Sequence, residues 1–279
     1  MADKILIIND DSYLSPGLYI LYDAVKDLGE VIITSTMLPR SAIGHAISFN
    51  KPLRLHKIKF ESYDVYVTDG TPIDALHLAI SVLNFKPTVV LSGVNVGENL
   101  SLQHTYYSGT LAIAIEAALL GIPSIAFSAD VLLFEDFKDK SLRNIIMILA
   151  RELTKYVLNN GLPDNVDLLS VNIPSPSKFN KCVKLTKLAK LRWRAEFEMR
   201  YDTRGRPYYW LQTKPIEPAK GTDVYATLIE GCVSVTPLSI NINALTTSNI
   251  IESLNVVTKN LECKFRLGTT CLTPKGKGG

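Results

Sequence analysis

The 279-residue sequence has no apolar run close to the roughly 20 residues that a membrane-spanning helix needs, so we expect no transmembrane segment. Its first four residues lead directly into a predicted strand, which leaves no room for a signal peptide. The four cysteines form no Cys-x-x-Cys pair, which argues against a zinc site, and their spacing leaves a disulfide open. Together these features predict a cytoplasmic protein.

Strong net charge and glycine-rich nucleotide motifs are also missing. The net charge is +3 with 47% apolar and 20% charged residues, which is typical of a globular protein. This balance gives no reason to expect a nucleic-acid polymer or an anionic membrane as a partner. No Gly-x-Gly-x-x-Gly follows the first predicted strand, and no Gly-x-x-x-x-Gly-Lys-Ser/Thr occurs. Dinucleotide binding and P-loop ATP hydrolysis therefore lose their main support.

The sequence does contain an alternation of apolar strands and amphipathic helices. A strand at 5–8, a helix at 18–28 and a second strand at 31–34 predict a right-handed βαβ unit. Later apolar segments predict strands at 63–67, 88–91, 123–128 and 166–173, and helices that start at Pro72 or span 111–120 and 141–158. This alternation is typical of an α/β protein with a doubly wound, mainly parallel sheet.

Other segments depart from this alternation. Residues 45–60 alternate loosely between apolar and polar, which predicts a β-ribbon. Residues 176–220 are rich in Lys, Arg, Tyr and Trp, with short aromatic strands that indicate extended hairpins. The modest net charge favours a packing arm over a nucleic-acid site there. Residues 222–235 return to an apolar β-pattern.

The first strand runs directly into an amide and two adjacent carboxylates, Asn9, Asp10 and Asp11. Because neighbouring anions repel, placing both at the end of a buried strand requires a compensating charge. Carboxylate, carbonyl and hydroxyl oxygens suit a hard divalent cation such as Mg²⁺ or Mn²⁺. The alternative is that one aspartate caps the next helix while the other faces water.

Further polar loops leave the predicted carboxyl edge of the same sheet. Ser41 follows the second strand, Asn95 follows the fourth, and Ser108-Gly109-Thr110 opens an apolar helix. Loops at this edge of a doubly wound sheet gather around one crevice. The two carboxylates, the Ser41 hydroxyl and the Asn95 amide would then form an all-oxygen metal site with positions left for water and substrate.

Two polar features near this crevice have more than one interpretation. Residues 108–110 could bind an anion at the helix N-terminus, or Ser108 or Thr110 could be an ordinary N-cap. His104 could serve as a general acid or phosphate ligand, or it could be a solvated loop histidine.

The combination of motifs resembles the SurE family, the stationary-phase survival-protein phosphatases. The resemblance covers about residues 4–240 and rests on motifs that occur in order: Asn9-Asp10-Asp11, Arg40-Ser41, Gly70-Thr71-Pro72, Ser92-Gly93-Val94-Asn95, Tyr107-Ser108-Gly109-Thr110, Val171-Asn172-Ile173-Pro174 and Val233-Ser234-Val235-Thr236-Pro237-Leu238. Two positions depart from the family's pattern. Ser12 stands where the family usually has glycine, and Ala42 and Ile43 precede the first glycine after Ser41.

The resemblance implies a phosphatase that hydrolyses nucleoside 5′- or 3′-monophosphates, and in some relatives short polyphosphate. It implies one divalent metal ion per subunit, Mg²⁺ or Mn²⁺, held by Asp10, Asp11, Ser41 and Asn95. It also implies a three-layer α/β/α Rossmann-like core with a protruding β-hairpin arm that joins homodimers or homotetramers. On this basis we expect a core with the site at 1–175, an arm at 176–220, and a return to the core with a C-terminal segment at 221–279.

In the predicted mechanism the metal activates a water and polarises a phosphoryl oxygen. The segment 108–110 donates hydrogen bonds to phosphate, and Asn9 orients the site or contacts phosphate.

A phosphoacceptor signalling domain is the first alternative function, since Asp69 ends a predicted strand and, together with the paired acids, would imitate the metal pocket of such a domain. The lysine that such a domain needs after its fifth strand is missing, and the chain is too long. A nucleotide sensor without catalysis is the second rival, because binding and turnover use the same residues.

Overall fold

A nine-stranded mixed sheet lies at the centre of the computed structural model, which describes residues 3–242 and 258–259. The strands of the protein are β1 Lys4–Asn9, β2 Glu30–Thr36, β3 Leu55–Phe60, β4 Tyr63–Thr68, β5 Val89–Val96, β6 Ser124–Ala129, β7 Leu168–Ile173, β8 Val183–Leu185, β9 Trp193–Tyr201, β10 Pro207–Pro215 and β11 Val233–Leu238. The central sheet has the order β3-β4-β2-β1-β5-β6-β7-β11-β8. Its pairs are parallel except β3 with β4 and β7 with β11.

Helices cover both faces of this sheet. They are α1 Pro16–Val25, α2 Pro72–Ser81, α3 Ser101–Tyr107, α4 Gly109–Leu119 and α5 Lys140–Asn160, with a 3-10 helix at Phe134–Lys138 and a π-helix at Tyr225–Ile229. Helices α1 and α5 pack together on one face, and α2 and α4 pack together on the other. The predicted three-layer α/β/α architecture is therefore confirmed. Within the described part of the chain, none of these helices has the length and apolar character needed to span a membrane.

Strand β1 shows why its apolar run is continuous. Successive side chains of a strand point to opposite faces, so Ile5 and Ile7 enter the core beneath α1 and α5. Leu6 and Ile8 enter the core beneath α2 and α4. All four side chains are fully buried. Each contributes about 1.5–3 kcal/mol of hydrophobic stabilisation, which fixes the position of the polar residues that follow.

The start of α2 follows its predicted signal. The Thr71 hydroxyl accepts a hydrogen bond from the backbone N–H of Asp74 at 3.1 Å, and the Asp74 carboxylate accepts from the N–H of Thr71 at 2.7 Å. Pro72 occupies the first turn, where no backbone donor is needed. This reciprocal capping ends β4 and begins the helix within a few residues.

Three segments differ from the sequence-based expectation. Only residues 55–60 of the predicted ribbon at 45–60 form a strand. Helix α3 was not predicted, because its N-cap Leu100 offers no side-chain acceptor. Within the predicted strand at 222–235, Asp223 is buried and its carboxylate accepts backbone hydrogen bonds from Ser101 and Ala189 at 2.6 and 2.8 Å. The π-helix follows at Tyr225–Ile229, and β11 begins only at Val233.

The hairpin of β9 and β10 forms a two-stranded sheet of its own, as predicted for an extended arm. Its register runs from Trp193 opposite Pro215 to Tyr201 opposite Pro207. Asp202 closes the turn by accepting backbone hydrogen bonds at 2.8 and 2.9 Å. A lone two-stranded hairpin is marginally stable in water, so the arm depends on how its base is held.

A disulfide between Cys182 and Cys232 joins the segments on either side of this arm. The two Cα atoms lie 4.7 Å apart and the residues are separated by 50 positions. The bond connects the chain just before β8 to the chain just before β11, two strands that pair in the central sheet. The spacing of the cysteines neither predicted nor excluded a disulfide, and the structure contains this one.

We expect reduction of the Cys182–Cys232 bond to lower the free energy of unfolding by about 4 kcal/mol, because the bond limits the entropy of a long unfolded loop. Denaturant unfolding with and without a thiol reductant measures this change. The double variant Cys182→Ser/Cys232→Ser is the control and should not respond to reductant. An unchanged unfolding midpoint in wild-type protein whose bond is shown to be reduced would contradict the prediction.

Candidate metal and phosphate site

The candidate site lies where the sheet order reverses direction between β1 and β5. From β1 the chain continues to β2 on one side, and β5 adds on the other side. Asp10 and Asp11 follow β1, while Asn95 lies near the carboxyl end of β5. Such a switch point opens a crevice at the carboxyl ends of the strands, so the topology brings these residues together.

Asp10 is held against the N-terminus of helix α4. The Thr110 hydroxyl donates to its Oδ1 at 2.5 Å, and Asp10 as a whole residue is 3% exposed. A Cβ atom at Gly109 would lie 2.7 Å from Asp10 Oδ2, so only glycine permits this approach. Burial raises the pKa of Asp10, while the Thr110 hydroxyl and the backbone N–H groups of residues 109 and 110 oppose the increase.

Asp11 is the second buried carboxyl group of the site. Its Oδ2 accepts a hydrogen bond from the backbone N–H of Val96 at 2.9 Å. Burial, followed by the negative charge of Asp10, raises the pKa of Asp11 to about 7. Among the described residues, no lysine or arginine forms an ion pair with Asp10 or Asp11. The fold therefore places two adjacent carboxyl groups in a poorly solvated position without a cationic side chain.

A cavity of about 260 Å³ opens beside this pair, and Asp10, Ser41, Asn95 and Ser108 line it. The Asn95 amide nitrogen donates to the backbone carbonyls of Val96 and Gly97 at 3.2 and 2.8 Å. This leaves Oδ1 of Asn95 on the side of the Thr110 hydroxyl, 3.3 Å away. The structure thus gathers three of the four predicted metal ligands around the cavity, and Asp11 adjoins Asp10 without being part of its lining.

The loop that carries Ser41 is fixed to the site by its backbone. The N–H of Arg40 donates to the carbonyl of Asp10 at 2.7 Å, and the N–H of Gly44 donates to the carbonyl of Tyr107 at 2.9 Å. Ala42 adopts a φ of 54°, in the left-handed region that favours glycine. Ser12 likewise has a φ of 74°. Both departures from the family's pattern therefore keep the backbone conformation that glycine would adopt.

Asn9 holds the turn after β1 and does not line the cavity. Its side-chain nitrogen donates to the carbonyl of Ser12 at 3.0 Å, and its Oδ1 accepts from the Ser35 hydroxyl at 2.6 Å. The side chain is fully buried. Of its two predicted roles, these contacts support orientation of the site.

Ser108 is the N-cap of α4, because its Oγ accepts from the backbone N–H of Leu111 at 3.0 Å. Its hydroxyl proton is not used by this contact, so Ser108 can cap the helix and still donate a hydrogen bond into the cavity. The Thr110 hydroxyl donates to Asp10 instead. The two interpretations of this helix start are therefore compatible for Ser108.

His104 is not a solvated loop residue, because its side chain is only 19% exposed. Its Nδ1 lies 3.1 Å from Glu98 Oε2, and its Nε2 lies 2.8 Å from the indole nitrogen of Trp193. Glu98, Tyr107 and Trp193 line the same cavity as Asp10. Sequence reasoning missed these three residues. Trp193 lies far along the chain in the arm segment, and no local signal places it beside α3.

The donor chemistry of the site fits a hard divalent cation. Two carboxylates, an amide oxygen and a hydroxyl match the all-oxygen coordination that Mg²⁺ or Mn²⁺ prefers. Within the described ranges, no set of three or more His, Cys, Asp and Glu residues is placed to hold a metal. Such an ion would therefore depend on the neutral oxygens of Ser41 and Asn95 in addition to Asp10 and Asp11.

The chain matches the family model described as Survival protein SurE over residues 5–195. It is 40% identical over 275 residues to the 5′-nucleotidase SurE of Hyperthermus butylicus, with 96% of each chain covered. It is 42% identical over 253 residues to the 5′-nucleotidase SurE of Methanosarcina barkeri, with 88% of this chain and 94% of that chain covered. The crystal structure of the SurE protein from Aquifex aeolicus matches with a TM-score of 0.75 and 35% identity, and covers 91% of this chain and 99% of that chain.

We expect Asp11→Asn to stabilise the metal-free protein more at pH 8.5 than at pH 4.5. The pKa of Asp11 is about 7 in the folded protein, above its ordinary value of 3.8. The contribution of protonated Asp11 to the free energy of unfolding is therefore fully present below pH 3.8 and is lost as the pH rises through about 7. Asparagine does not titrate and keeps an acceptor for the N–H of Val96. Thermal unfolding in EDTA at both pH values measures the difference.

Asp27→Asn is the control for this prediction. Arg151 donates to both carboxylate oxygens of Asp27 and lowers its pKa to about 2, so Asp27 stabilises the fold at high pH. Because the folded pKa of about 2 and the ordinary value of 3.8 both lie below pH 4.5, its replacement should destabilise the protein equally at pH 4.5 and pH 8.5. An Asp11→Asn variant that likewise shows no difference between the two pH values would contradict the buried-pair interpretation.

Proposed function

Because this chain belongs to the SurE family, we propose that it is a divalent-metal-dependent phosphatase that hydrolyses nucleoside 5′-monophosphates to nucleoside and phosphate. Relatives that match almost its whole length are named 5′-nucleotidase SurE, which supports a phosphoric monoester hydrolase. The observation that carries metal dependence is the buried pair of Asp10 and Asp11 beside a cavity, without a cationic side chain paired to either among the described residues.

One divalent ion per subunit, Mg²⁺ or Mn²⁺, would be held by the carboxylates of Asp10 and Asp11, the Asn95 Oδ1 and the Ser41 hydroxyl. When bound, such an ion supplies Lewis-acid activation of the phosphoryl group and the attacking water. The positions of its ligands are fixed by the protein. Thr110 orients Asp10, the N–H of Val96 orients Asp11, and two backbone carbonyls orient the Asn95 amide.

The N-terminus of α4 would bind the phosphate. The free hydroxyl proton of Ser108 is a donor at this end of the helix, where the helix dipole also favours an anion. The backbone N–H groups of Gly109 and Thr110 already contact the Asp10 carboxylate, and the phosphate would share them with it. Asp10 lies at the same helix end, so phosphate and cation would be adjacent. Donors fixed in advance lower the barrier by stabilising the charge that develops on the transferred phosphoryl group.

The substrate range would include nucleoside 3′-monophosphates and short polyphosphate as secondary substrates, as the family resemblance suggests. The subunit would form a homodimer or homotetramer through the arm. Large apolar side chains are exposed along both arm strands, namely Phe197, Met199, Tyr201, Tyr208, Tyr209, Trp210 and Leu211. By the hairpin register, Phe197, Met199, Tyr201, Tyr209 and Leu211 share one face, and Tyr208 and Trp210 lie on the other. An exposed apolar row like the first is typical of protein–protein contacts.

We expect phosphate release from nucleoside monophosphates to require Mg²⁺ or Mn²⁺ and to stop in EDTA. Asp10→Asn should lower kcat/KM by more than about 100-fold, because removing one carboxylate weakens both the cation site and its orientation. Phosphate release from a panel of 5′- and 3′-monophosphates and short polyphosphate measures this and ranks the substrates. Tight metal and nucleotide binding without any turnover would instead establish the sensor as the function.

We expect Gly109→Ala to lower kcat by about 100-fold or more while the fold is retained. The new methyl group would meet the Asp10 carboxylate at 2.7 Å, and a displacement of about 1 Å in a catalytic group has an effect of this size. Gly121→Ala is the control, since its Cβ would meet no atom within 4 Å while its φ of 76° strains the backbone. Equal activity losses per folded molecule in the two variants would contradict the role of Gly109.

A further inference from the structure

We propose that Tyr107 and Trp193 form the surface that binds the nucleobase of the substrate, and that His104 is a positioning residue that holds Trp193. This inference rests on the proposed nucleotidase function, because it says which residues bind the nucleobase of a nucleotide substrate. Tyr107 and Trp193 are not among the predicted metal or phosphate ligands, and His104 takes a role other than the general acid or phosphate ligand that the sequence left open. Under this proposal Trp193, the first residue of β9 in the arm, is part of the substrate site.

Two chemically different sets of residues line the cavity. Asp10, Ser41, Asn95 and Ser108 form the set proposed for metal and phosphate. The other lining residues include Glu98, His104, Tyr107 and Trp193. Because the proposed function places the phosphorus of a phosphate monoester at the first set, its leaving group would lie along the second set. The second set would therefore select the leaving group.

Trp193 is held in this position by several contacts at the base of the arm. Its indole N–H donates to His104 Nε2 at 2.8 Å, and its backbone N–H donates to Gln103 Oε1 at 3.2 Å. The preceding residue, Arg192, contacts Glu98 through its Nε at 3.0 Å. These bonds fix the first residues of β9 to helix α3 and the loop before it. Trp193 is therefore positioned before any substrate arrives.

The hydrogen bonds of His104 define its role. An indole nitrogen can only donate, so His104 Nε2 is the acceptor and the ring proton lies on Nδ1, facing Glu98. Both ring nitrogens are therefore engaged with protein groups. While these bonds persist, His104 has no proton to give to a leaving group in the cavity. It acts through Trp193.

The second set of lining residues suits an uncharged aromatic leaving group. The rings of Tyr107 and Trp193 have centroids 6.1 Å apart and planes inclined by 32°, so they form adjacent parts of one aromatic wall. Tyr107 is 46% exposed, which leaves a ring face available for stacking. Among the described lining residues there is no lysine or arginine, and Glu98 is paired with Arg192 and His104. A nucleoside fits this lining better than a second phosphate group.

The first test compares two substrates that share the phosphate and the sugar. Tyr107→Ala and Trp193→Ala should each lower kcat/KM for adenosine 5′-monophosphate by about 5- to 150-fold, mainly through KM, because base stacking on an aromatic ring is lost. Hydrolysis of ribose 5-phosphate, which has no base, should be unchanged in both variants. Tyr106→Ala is the matched control, since Tyr106 is the exposed neighbour on α3 and does not line the cavity.

The second test follows Trp193 directly. The chain has two tryptophans, so Trp210→Phe leaves Trp193 as the only indole reporter. In this variant adenosine should change the Trp193 fluorescence, whereas ribose should not. Adding His104→Ala should weaken adenosine binding. Adding His104→Gln instead should retain it, because a glutamine oxygen can still accept from the indole N–H.

The outcomes separate this inference from the proposed function. Suppose that the wild-type protein hydrolyses both substrates. If the alanine variants then lose activity equally on both substrates, or lose none, the role of Tyr107 and Trp193 in base binding is contradicted and the proposed nucleotidase function is not. A fluorescence response to adenosine without turnover of any phosphate ester would support base binding by Tyr107 and Trp193 and would contradict the proposed hydrolysis. Turnover without a fluorescence response to adenosine would also contradict base binding by these residues.

Discussion

The structure depends on one electrostatic constraint, the burial of two adjacent carboxyl groups at the end of its central strand. Strand β1 is apolar on both faces, so it must lie inside the sheet, and this carries Asp10 and Asp11 out of water. Burial and mutual repulsion raise the pKa of Asp11 to about 7. The loops around the pair supply donors and neutral oxygens, but no cationic partner among the described residues. In the proposed function a divalent cation would resolve this conflict with the ligands that are present.

The remaining features of the site follow from the space around this pair. Gly109 lets helix α4 begin directly against Asp10, which places its N-terminal donors beside the carboxylate. In the proposed function a phosphate group beside Asp10 would contact both the helix N-terminus and the cation. Trp193 of the arm also lines the cavity, so the segment proposed for assembly would reach the substrate as well. The Cys182–Cys232 bond joins the segments on either side of this arm and supports its base.

Local signals in the sequence were sufficient for much of the fold and for the grouping of Asp10, Ser41, Asn95 and Ser108 around one cavity. The apolar run of β1, the Thr71-Pro72 helix start and the order of polar loops along one sheet edge are each readable over a few residues. The missed features depend on contacts between distant segments. Asp223, just before the π-helix, accepts hydrogen bonds from the backbone of Ser101 and Ala189, and Trp193 reaches His104 from 89 residues away. No local pattern encodes such pairings.

The most direct measurement of the central claim is anomalous X-ray diffraction from crystals grown with Mn²⁺. The account predicts one anomalous peak beside the carboxylates of Asp10 and Asp11, about 2.2 Å from the oxygen atoms that bind it. The peak should also lie within reach of Asn95 Oδ1 and the Ser41 hydroxyl, and it should be lost in Asp10→Asn. No peak at these carboxylates under saturating Mn²⁺, or a peak only at another site, would contradict the account.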